Sequence, residues 1–329
     1  MRQPSEGEAR SCAACCSADV EQVETVPVEA LADAWAKLGC HGNDITGDAV
    51  RGYVFADLKT RQIEVWRCAG CGLEFALPRR AWTTQHYPAE RHSLGYDHQL
   101  ALRELAETPP IRILDIGCAD GQFLERAAAM GHDATGIDFS EEDVLSARQR
   151  GLDAHAGDIA QVRRMVSGKR RFNLITLFQV IEHLTEPDNV FSQIGECAEP
   201  DAHIMVGCPS DLRYTRVYKH PQRIDRSDFW DYPPQHLLRW TPKALDAFLR
   251  RHGWETEKIV YEPLALVGTA SHMTALRGIG TSWYRTAWRR RLAILWWLAR
   301  VTGSRLTRSS TGIRLFVKAK RARELEALK

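Results

Sequence analysis

The most specific chemistry in this 329-residue chain lies in the run Leu114-Asp115-Ile116-Gly117-Cys118-Ala119-Asp120-Gly121. Small residues let a backbone approach a ligand closely, and a helix that starts just after them offers free N–H groups. A nucleotide-like ligand is implied. The spacing of a dinucleotide loop, G-x-G-x-x-G, is occupied by Gly117, Ala119 and Gln122, so the third glycine, which permits close helix–strand packing, is missing. Asp138 follows Gly117 by 21 residues, at the end of the next strand pattern, where a carboxylate can accept hydrogen bonds from two vicinal ribose hydroxyls. Asp158 ends a third strand pattern (AGD) and is placed to accept from an adenine amino group. Each aspartate alone reads as a solvated loop carboxylate or a helix cap. Their recurrence at the carboxyl ends of consecutive strands favours a ligand edge.

A second chemistry belongs to cysteine. Cys12-x-x-Cys15 and Cys68-x-x-Cys71 are two knuckles of the kind that holds tetrahedral Zn²⁺ through thiolates, because two intervening residues let one tight turn present both sulfurs. Four thiolates leave no open position, so such a site is structural. The gap between the knuckles exceeds the usual ~15–20 residues; Cys16 competes for the first pair, and Cys40-His41 is a further competitor. The alternative is a set of unliganded thiols.

Elements that could position these groups follow from periodicity. Apolar residues at Val28, Leu31, Ala32, Trp35 and Leu38 predict a short amphipathic helix between the knuckles, and residues 97–107 a second helix stopped by Pro109-Pro110. From residue 111 strands and helices alternate: strands over 112–118, 134–139, 153–158, 172–178, 202–208 and 254–261, and helices over 121–130, 141–150, 188–198 and 242–251. Repeated βα units of this length predict an α/β fold with a doubly wound, mostly parallel sheet. A last strand, 313–320, comes after an excursion of about fifty residues.

With those elements in place, residues 111–262 resemble a class I S-adenosylmethionine-dependent methyltransferase. The resemblance rests on LDIGCADG, TGIDFS, AGDI, FQVIEHLTEPD and HLLRWTPKALDAFLRRHGWE taken as an ordered set. It implies a Rossmann-like methyltransferase sheet and S-adenosylmethionine as methyl donor. Asp115, Gly117, Cys118, Ala119 and Gly121 would wrap its methionine and ribose parts, Asp138 hold the ribose, Phe139 flank the adenine, Asp158 and Ile159 border the base, and Gln179 line the methionine side. A sulfonium donor needs chiefly to be held in line with its nucleophile, and a base helps when the acceptor is a hydroxyl. His183 follows the fourth strand and is expected to face the transferred methyl, while His236 lies in a segment that in such enzymes comes over the substrate. Each is a candidate base or acceptor ligand, with a structural histidine bonded to backbone as the alternative. Zinc-ribbon modules precede the methyltransferase domain in sugar and natural-product methyltransferases, and WRCAGCGLEFALP resembles their second knuckle. The chain then divides into a small zinc-binding module (1–85), a connector and helix (86–110), the methyltransferase domain (111–262 with 313–323) and an insertion (263–312).

Composition bounds the rest. With 44% hydrophobic and 26% charged residues the chain is an ordinary folded protein, which excludes global disorder, collagen-like repeats and a small disulfide scaffold. The polar N-terminus lacks a signal-peptide core, so a cytoplasmic location is expected. The net charge of +2 hides a polarised molecule. Residues 263–323 carry 13 Lys/Arg and no Asp or Glu, leaving 31 basic and 42 acidic side chains elsewhere. Four tryptophans and four arginines fall within 283–297, which suits an anionic membrane surface met through 283–301. The alternatives are a helix packed on the domain or on a second copy of the chain as a homodimer, and a basic groove for RNA. The expected activity is O-methylation of a small-molecule, glycosidic or lipid-linked acceptor. Rivals are C- or N-methylation of a nucleotide-linked sugar, a zinc-ribbon ribosomal RNA methyltransferase, and a cofactor-binding scaffold without turnover. Nucleic acid is disfavoured, because the body is acidic and the cysteine pairs lack interleaved basic and aromatic residues.

Overall fold

The computed structural model describes residues 11–38, 51–52, 60–80, 93–160, 171–213, 231–233, 235–266, 270, 287–307 and 311–322. Cys40, His41, Trp283 and Tyr284 lie outside them.

Central strands are those whose sequences are apolar on both faces. β4 (Arg112–Ile116) and β7 (Phe172–Phe178) are almost wholly buried and pair in parallel at the middle of a seven-stranded sheet. This is the pattern of a parallel sheet covered on both faces. β5 (Asp133–Asp138) and β6 (Asp153–Ala156) extend it on one side, and β8 (Ala198–Pro209) lies on the other. Beyond β8 come β11 (Arg314–Arg321) and the edge strand β10 (Trp254–Tyr261), both antiparallel to their neighbours. The order is β10-β11-β8-β7-β4-β5-β6. Every strand expected from residue 111 onward is present, with ends displaced by a few residues.

The helices start where their caps dictate. α3 (Gln122–Ala129) follows Gly121, and α4 (Glu141–Gln149) is capped by Ser140, whose Oγ accepts from the Asp143 N–H. α5 (Pro187–Cys197) and α6 (Pro242–Arg251) both open on proline, whose fixed φ suits a first turn. α2 (Tyr96–Leu105) lies on β8 and β11, and buries Ala101 and Leu105 with Ile113, Phe123 and Phe316.

The N-terminal part departs from its expected simplicity. Besides the expected helix α1 (Val28–Leu38), it forms strands β1 (Val20–Pro27), β2 (Gln62–Cys68) and β3 (Glu74–Leu77). These make an antiparallel sheet completed by β9 (Leu238–Arg239), a strand from residues expected to belong to the methyltransferase domain. Buried Glu74 pins this exchange, accepting from Arg67 Nη2 at 2.7 Å and Arg239 Nη1 at 3.0 Å. Cys12, Trp66, Cys71 and Phe75 share one continuous core with Leu237, Trp240, Phe248 and Trp254. The module is therefore packed into the larger domain.

α7 (Ala287–Thr307) occupies the basic insertion. Trp297 and Val301 are buried against Leu264 and Ala270, while Leu292, Leu295 and Trp296 are exposed on the other side. Among the described residues, no helix is long and apolar enough to cross a membrane.

Candidate functional site

β4, β5 and β6 end side by side, because their register pairs Ile116 with Ile137 and Asp138 with Ala156. The loop after β4 therefore meets the end of β5. Asp138 fixes that meeting: its Oδ2 accepts from the Ala119 N–H at 2.9 Å, and its Oδ1 from the Ser140 N–H at 2.8 Å. Gly117 adopts φ +81°, and a Cβ there would also run into Val180 Cγ2. Ala119 is left-handed too, at φ +48°, so its methyl is accommodated. Next to Asp138, Phe139 is 60% exposed, an uncovered ring at the strand end where a planar base could stack. Asp158 is exposed and Ile159 buried.

Two of the expected contact residues are buried. Asp115 is buried and accepts from Thr176 Oγ1 at 2.6 Å; burial pushes its carboxyl up to about 6. Cys118 is buried as well, and burial followed by the nearby Asp115 and Asp138 charges drives its thiol far up, away from nucleophilic reactivity. Gln179 closes the edge on the β7 side. It adopts φ +58°, its N–H donates to Gly207 O at 2.8 Å, and its Nε2 donates to Asp97 Oδ2 at 2.8 Å. Asp97, on α2, went unnoticed in the sequence because nothing in a helix pattern marks a carboxylate that reaches across to the sheet.

One turn beyond β7 the structure brings both candidate histidines together. His183 ends a 3-10 turn (Ile181–His183), and the loop carrying His236 folds back over it, so that the ring centroids are 5.0 Å apart. The loop is held by Leu237 N–H to Glu182 O at 2.9 Å and by the Trp240 indole to Ile181 O at 3.3 Å. His183 Nδ1 lies 2.5 Å from Gln235 O, and His236 Nδ1 lies 3.2 Å from Asp231 Oδ1, a carboxylate that also pairs with Arg213. Burial, and then the facing charges of His236 or of Arg213 and Arg239, lowers both imidazoles to about 3. The third member is Glu182, which the sequence reading passed over although it adjoins His183. It is 1% exposed, and burial pushes its carboxyl up to about 8.

The four knuckle cysteines converge. Cys12 Sγ and Cys71 Sγ are 3.4 Å apart, Cys15 Sγ and Cys68 Sγ 3.6 Å, and all four lie within 4.8 Å of one another. Burial holds Cys12 up near 11. It would raise Cys68 too, but the Cys71 backbone and the neighbouring thiols bring that residue down to about 7. Cys16 is exposed and is not one of the four converging sulfurs. The knot is anchored on α6: Arg251 donates to Ala13 O and Ala14 O, and Thr241 Oγ1 to Cys71 O at 2.8 Å.

Residues 90–259 match the family described as a methyltransferase domain. The chain is 26% identical over 152 residues to a ubiquinone biosynthesis O-methyltransferase of Hahella chejuensis, covering 44% of this chain and 60% of that one. A protein of the same name from Nitrosococcus oceani is 28% identical over 200 residues, 57% of this chain and 83% of that one. This chain thus spans about 60% of the length of the first of these relatives. Among solved structures, a SAM dependent methyltransferase from Archaeoglobus fulgidus aligns with TM-score 0.45 and 18% identity, over 68% of this chain and 94% of that one.

Proposed function

The chain belongs to the methyltransferase-domain family, and from that membership we propose that it moves the sulfonium methyl of S-adenosylmethionine to a hydroxyl oxygen of a small-molecule, glycosidic or lipid-linked acceptor. The observation that carries this reading is the donor edge: a positive-φ Gly117 loop tied to the Asp138 carboxylate at the ends of adjacent parallel strands. That donor set suits the group. A carboxylate beside open backbone fits a ribose diol, exposed Phe139 fits a base, and the charge of Asp138 favours a cationic donor. The donor supplies an electrophilic methyl, and the chain's own work is orientation. Gln179, clamped by Asp97, borders the methionine side, and His183 with His236 faces the acceptor. The O-methyltransferase names of the relatives support oxygen as the acceptor atom.

Calorimetry with S-adenosylhomocysteine tests the donor edge. The wild-type chain binds, and Asp138→Ala binds about 10- to 150-fold weaker, the loss of a charged hydrogen bond worth ~1.5–3 kcal/mol. No binding by the wild-type chain sinks the proposal. Transfer of labelled methyl to a panel of phenolic, glycosidic and lipid-linked alcohols then identifies the acceptor class.

The cysteine knot is proposed to hold structural Zn²⁺. Tetrahedral thiolates at ~2.3 Å from zinc stand about 3.8 Å from one another, close to the 3.4 and 3.6 Å separations here. Metal analysis of protein purified without chelator checks this, and absence of zinc ends the idea. Exposed Leu292, Leu295 and Trp296, flanked by Arg291 and Arg300, support contact of α7 with an anionic bilayer. Co-sedimentation with vesicles that ignores anionic lipid content would remove that contact.

A further inference from the structure

Asp97 of α2 is 0% exposed, and the sheet closes on it from two strands. Gly207 of β8 has no side chain, and a Cβ there would run into Asp97 Oδ2. Asp97 Oδ1 accepts from the His98 N–H at 3.0 Å and faces Arg314 Nε of β11 at 3.4 Å. Burial would raise the pKa of this carboxyl, but His98, then Arg314 and Gln179, hold it below the usual carboxylate range. The group is therefore ionised at neutral pH.

The other oxygen of Asp97 decides which way a second side chain lies. Oδ2 is 2.8 Å from Gln179 Nε2. An ionised carboxylate can only accept, so the end of the Gln179 carboxamide turned to Asp97 is the NH₂, and the end left over is the oxygen. Among the described residues, Oε1 accepts no hydrogen bond. A carboxamide whose NH₂ donates to a charge is polarised, which strengthens its oxygen as an acceptor. The Gln179 backbone is fixed as well, at φ +58° with its N–H donating to Gly207 O at 2.8 Å. Left-handed backbone costs a non-glycine residue ~1–2 kcal/mol, and such strain gathers where a side chain has a task. Val180, the next residue, packs on Gly117, where a Cβ would run into its Cγ2, so this end of β7 adjoins the Gly117 loop.

We propose that Asp97 is a positioning residue, which locks the Gln179 carboxamide with Oε1 as the acceptor for the α-ammonium group of the bound donor. The inference rests on the S-adenosylmethionine reading above. The methionine end of that donor carries an ammonium, which can only donate hydrogen bonds, and a carboxylate, which can only accept them. A polarised oxygen with a buried negative charge next to it attracts the first and repels the second. Asp97 is itself sealed from any ligand, so it acts through Gln179. Asp138 would then hold the donor by its ribose and Gln179 by its ammonium. A sulfonium fixed on both sides keeps its methyl on one line of attack.

The test is calorimetry on the full chain with two probes, S-adenosylhomocysteine and its deaminated analogue, in which hydrogen replaces the α-ammonium. Wild type is expected to prefer the first by about 10- to 150-fold, the range of a charged hydrogen bond. In Gln179→Met and in Asp97→Asn that preference should fall to about twofold or less, the scatter of uncoupled changes, while affinity for the deaminated analogue is kept within the same margin. The double variant should lose no more preference than Gln179→Met alone. A purely structural Asp97 weakens both probes alike and leaves their ratio as in wild type, which overturns the proposal. If Asp97→Asn does not fold, the side-chain amide signal of wild-type Gln179, assigned by its loss in Gln179→Met, takes its place. Amide protons bonded to Asp97 should exchange with water more slowly than those of exposed glutamines, and exchange at the exposed rate overturns the role of Asp97. Equal binding of both probes by wild type leaves the donor reading standing and removes only this inference. Binding of neither probe refutes the donor reading, and the inference falls with it.

Discussion

At the scale of single residues, the proposed donor edge depends on a backbone shape that few side chains tolerate. Gly117 sits at φ +81° with Val180 Cγ2 where a Cβ would stand. Left-handed backbone costs a non-glycine residue ~1–2 kcal/mol before any clash is counted. Gly117→Ala is therefore expected to cost at least that much in thermal or urea unfolding, and to weaken S-adenosylhomocysteine binding at least tenfold; a variant that binds normally contradicts the assigned loop. Ala119 is the informative contrast, since the chain already carries a methyl at φ +48°.

Asp97 shows a residue acting through its neighbours. Burial alone would raise its pKa. The His98 hydrogen bond and charge, followed by Arg314 and Gln179, hold it below the usual carboxylate range. Because its folded pKa is depressed, its stabilising contribution is complete above the unfolded value near 3.9 and is lost as pH falls through the lower folded value. Asp97→Asn leaves Arg314 short of a partner and is expected to cost ~3–5 kcal/mol near neutral pH. Urea unfolding in a pH series should show that gap shrinking below about pH 4; a gap constant with pH contradicts the assignment.

Among the elements, α7 is two helices in one. Trp297 and Val301 are buried with Leu264, whereas Trp296 is 50% exposed beneath Arg300, whose guanidinium lies 4.9 Å from the ring centroid. Trp297→Ala removes a buried indole and is expected to destabilise by ~3–5 kcal/mol. Trp296→Ala should change stability by less than about 0.5 kcal/mol. Equal effects in denaturant unfolding would mean that the helix is packed differently. β11 behaves unlike α7 although both belong to the basic stretch: its Arg314 and Lys318 meet Asp97 and Glu104 of α2. The basic charge is thus partly absorbed by the acidic body in the sheet and presented outward on the helix.

At the scale of the whole molecule, the cysteine knot and the histidine pair are mechanically linked. β9 pairs with β3 two residues after His236, and Thr241 ties the start of α6 to Cys71. With the zinc proposed for the knot, treatment with a strong chelator is expected to lower the melting temperature by on the order of 10 °C, since each kcal/mol shifts a domain of this size by about 2–4 °C. The same treatment should loosen the His236 loop, read as faster amide exchange across 235–239. An unchanged melting curve after proven metal loss would show that the knot is held by packing alone.

Local rules made the main sheet legible. Continuous apolar runs at 112–116 and 172–178 mark buried parallel strands, small residues after β4 mark a left-handed loop, and paired CxxC knuckles mark sulfurs presented by tight turns, because each is a constraint acting within a few residues. β1 stayed hidden because VEQVETVP is mostly exposed and carries little apolar alternation, and β9 because two residues make no pattern. Glu182 was passed over for another reason. A carboxylate's neighbours are known only from what faces it, and the 52 positions between His183 and His236 are bridged only when residues 235–237 fold over the Ile181–His183 turn. Residue types and local spacing determined the sheet, the small-residue loop after β4 and the cysteine pairs. Tertiary packing alone decided that Asp115 is buried, that the small module shares the large domain's core, and that two distant histidines and a buried glutamate meet, since burial and long-range approach are properties of the folded chain.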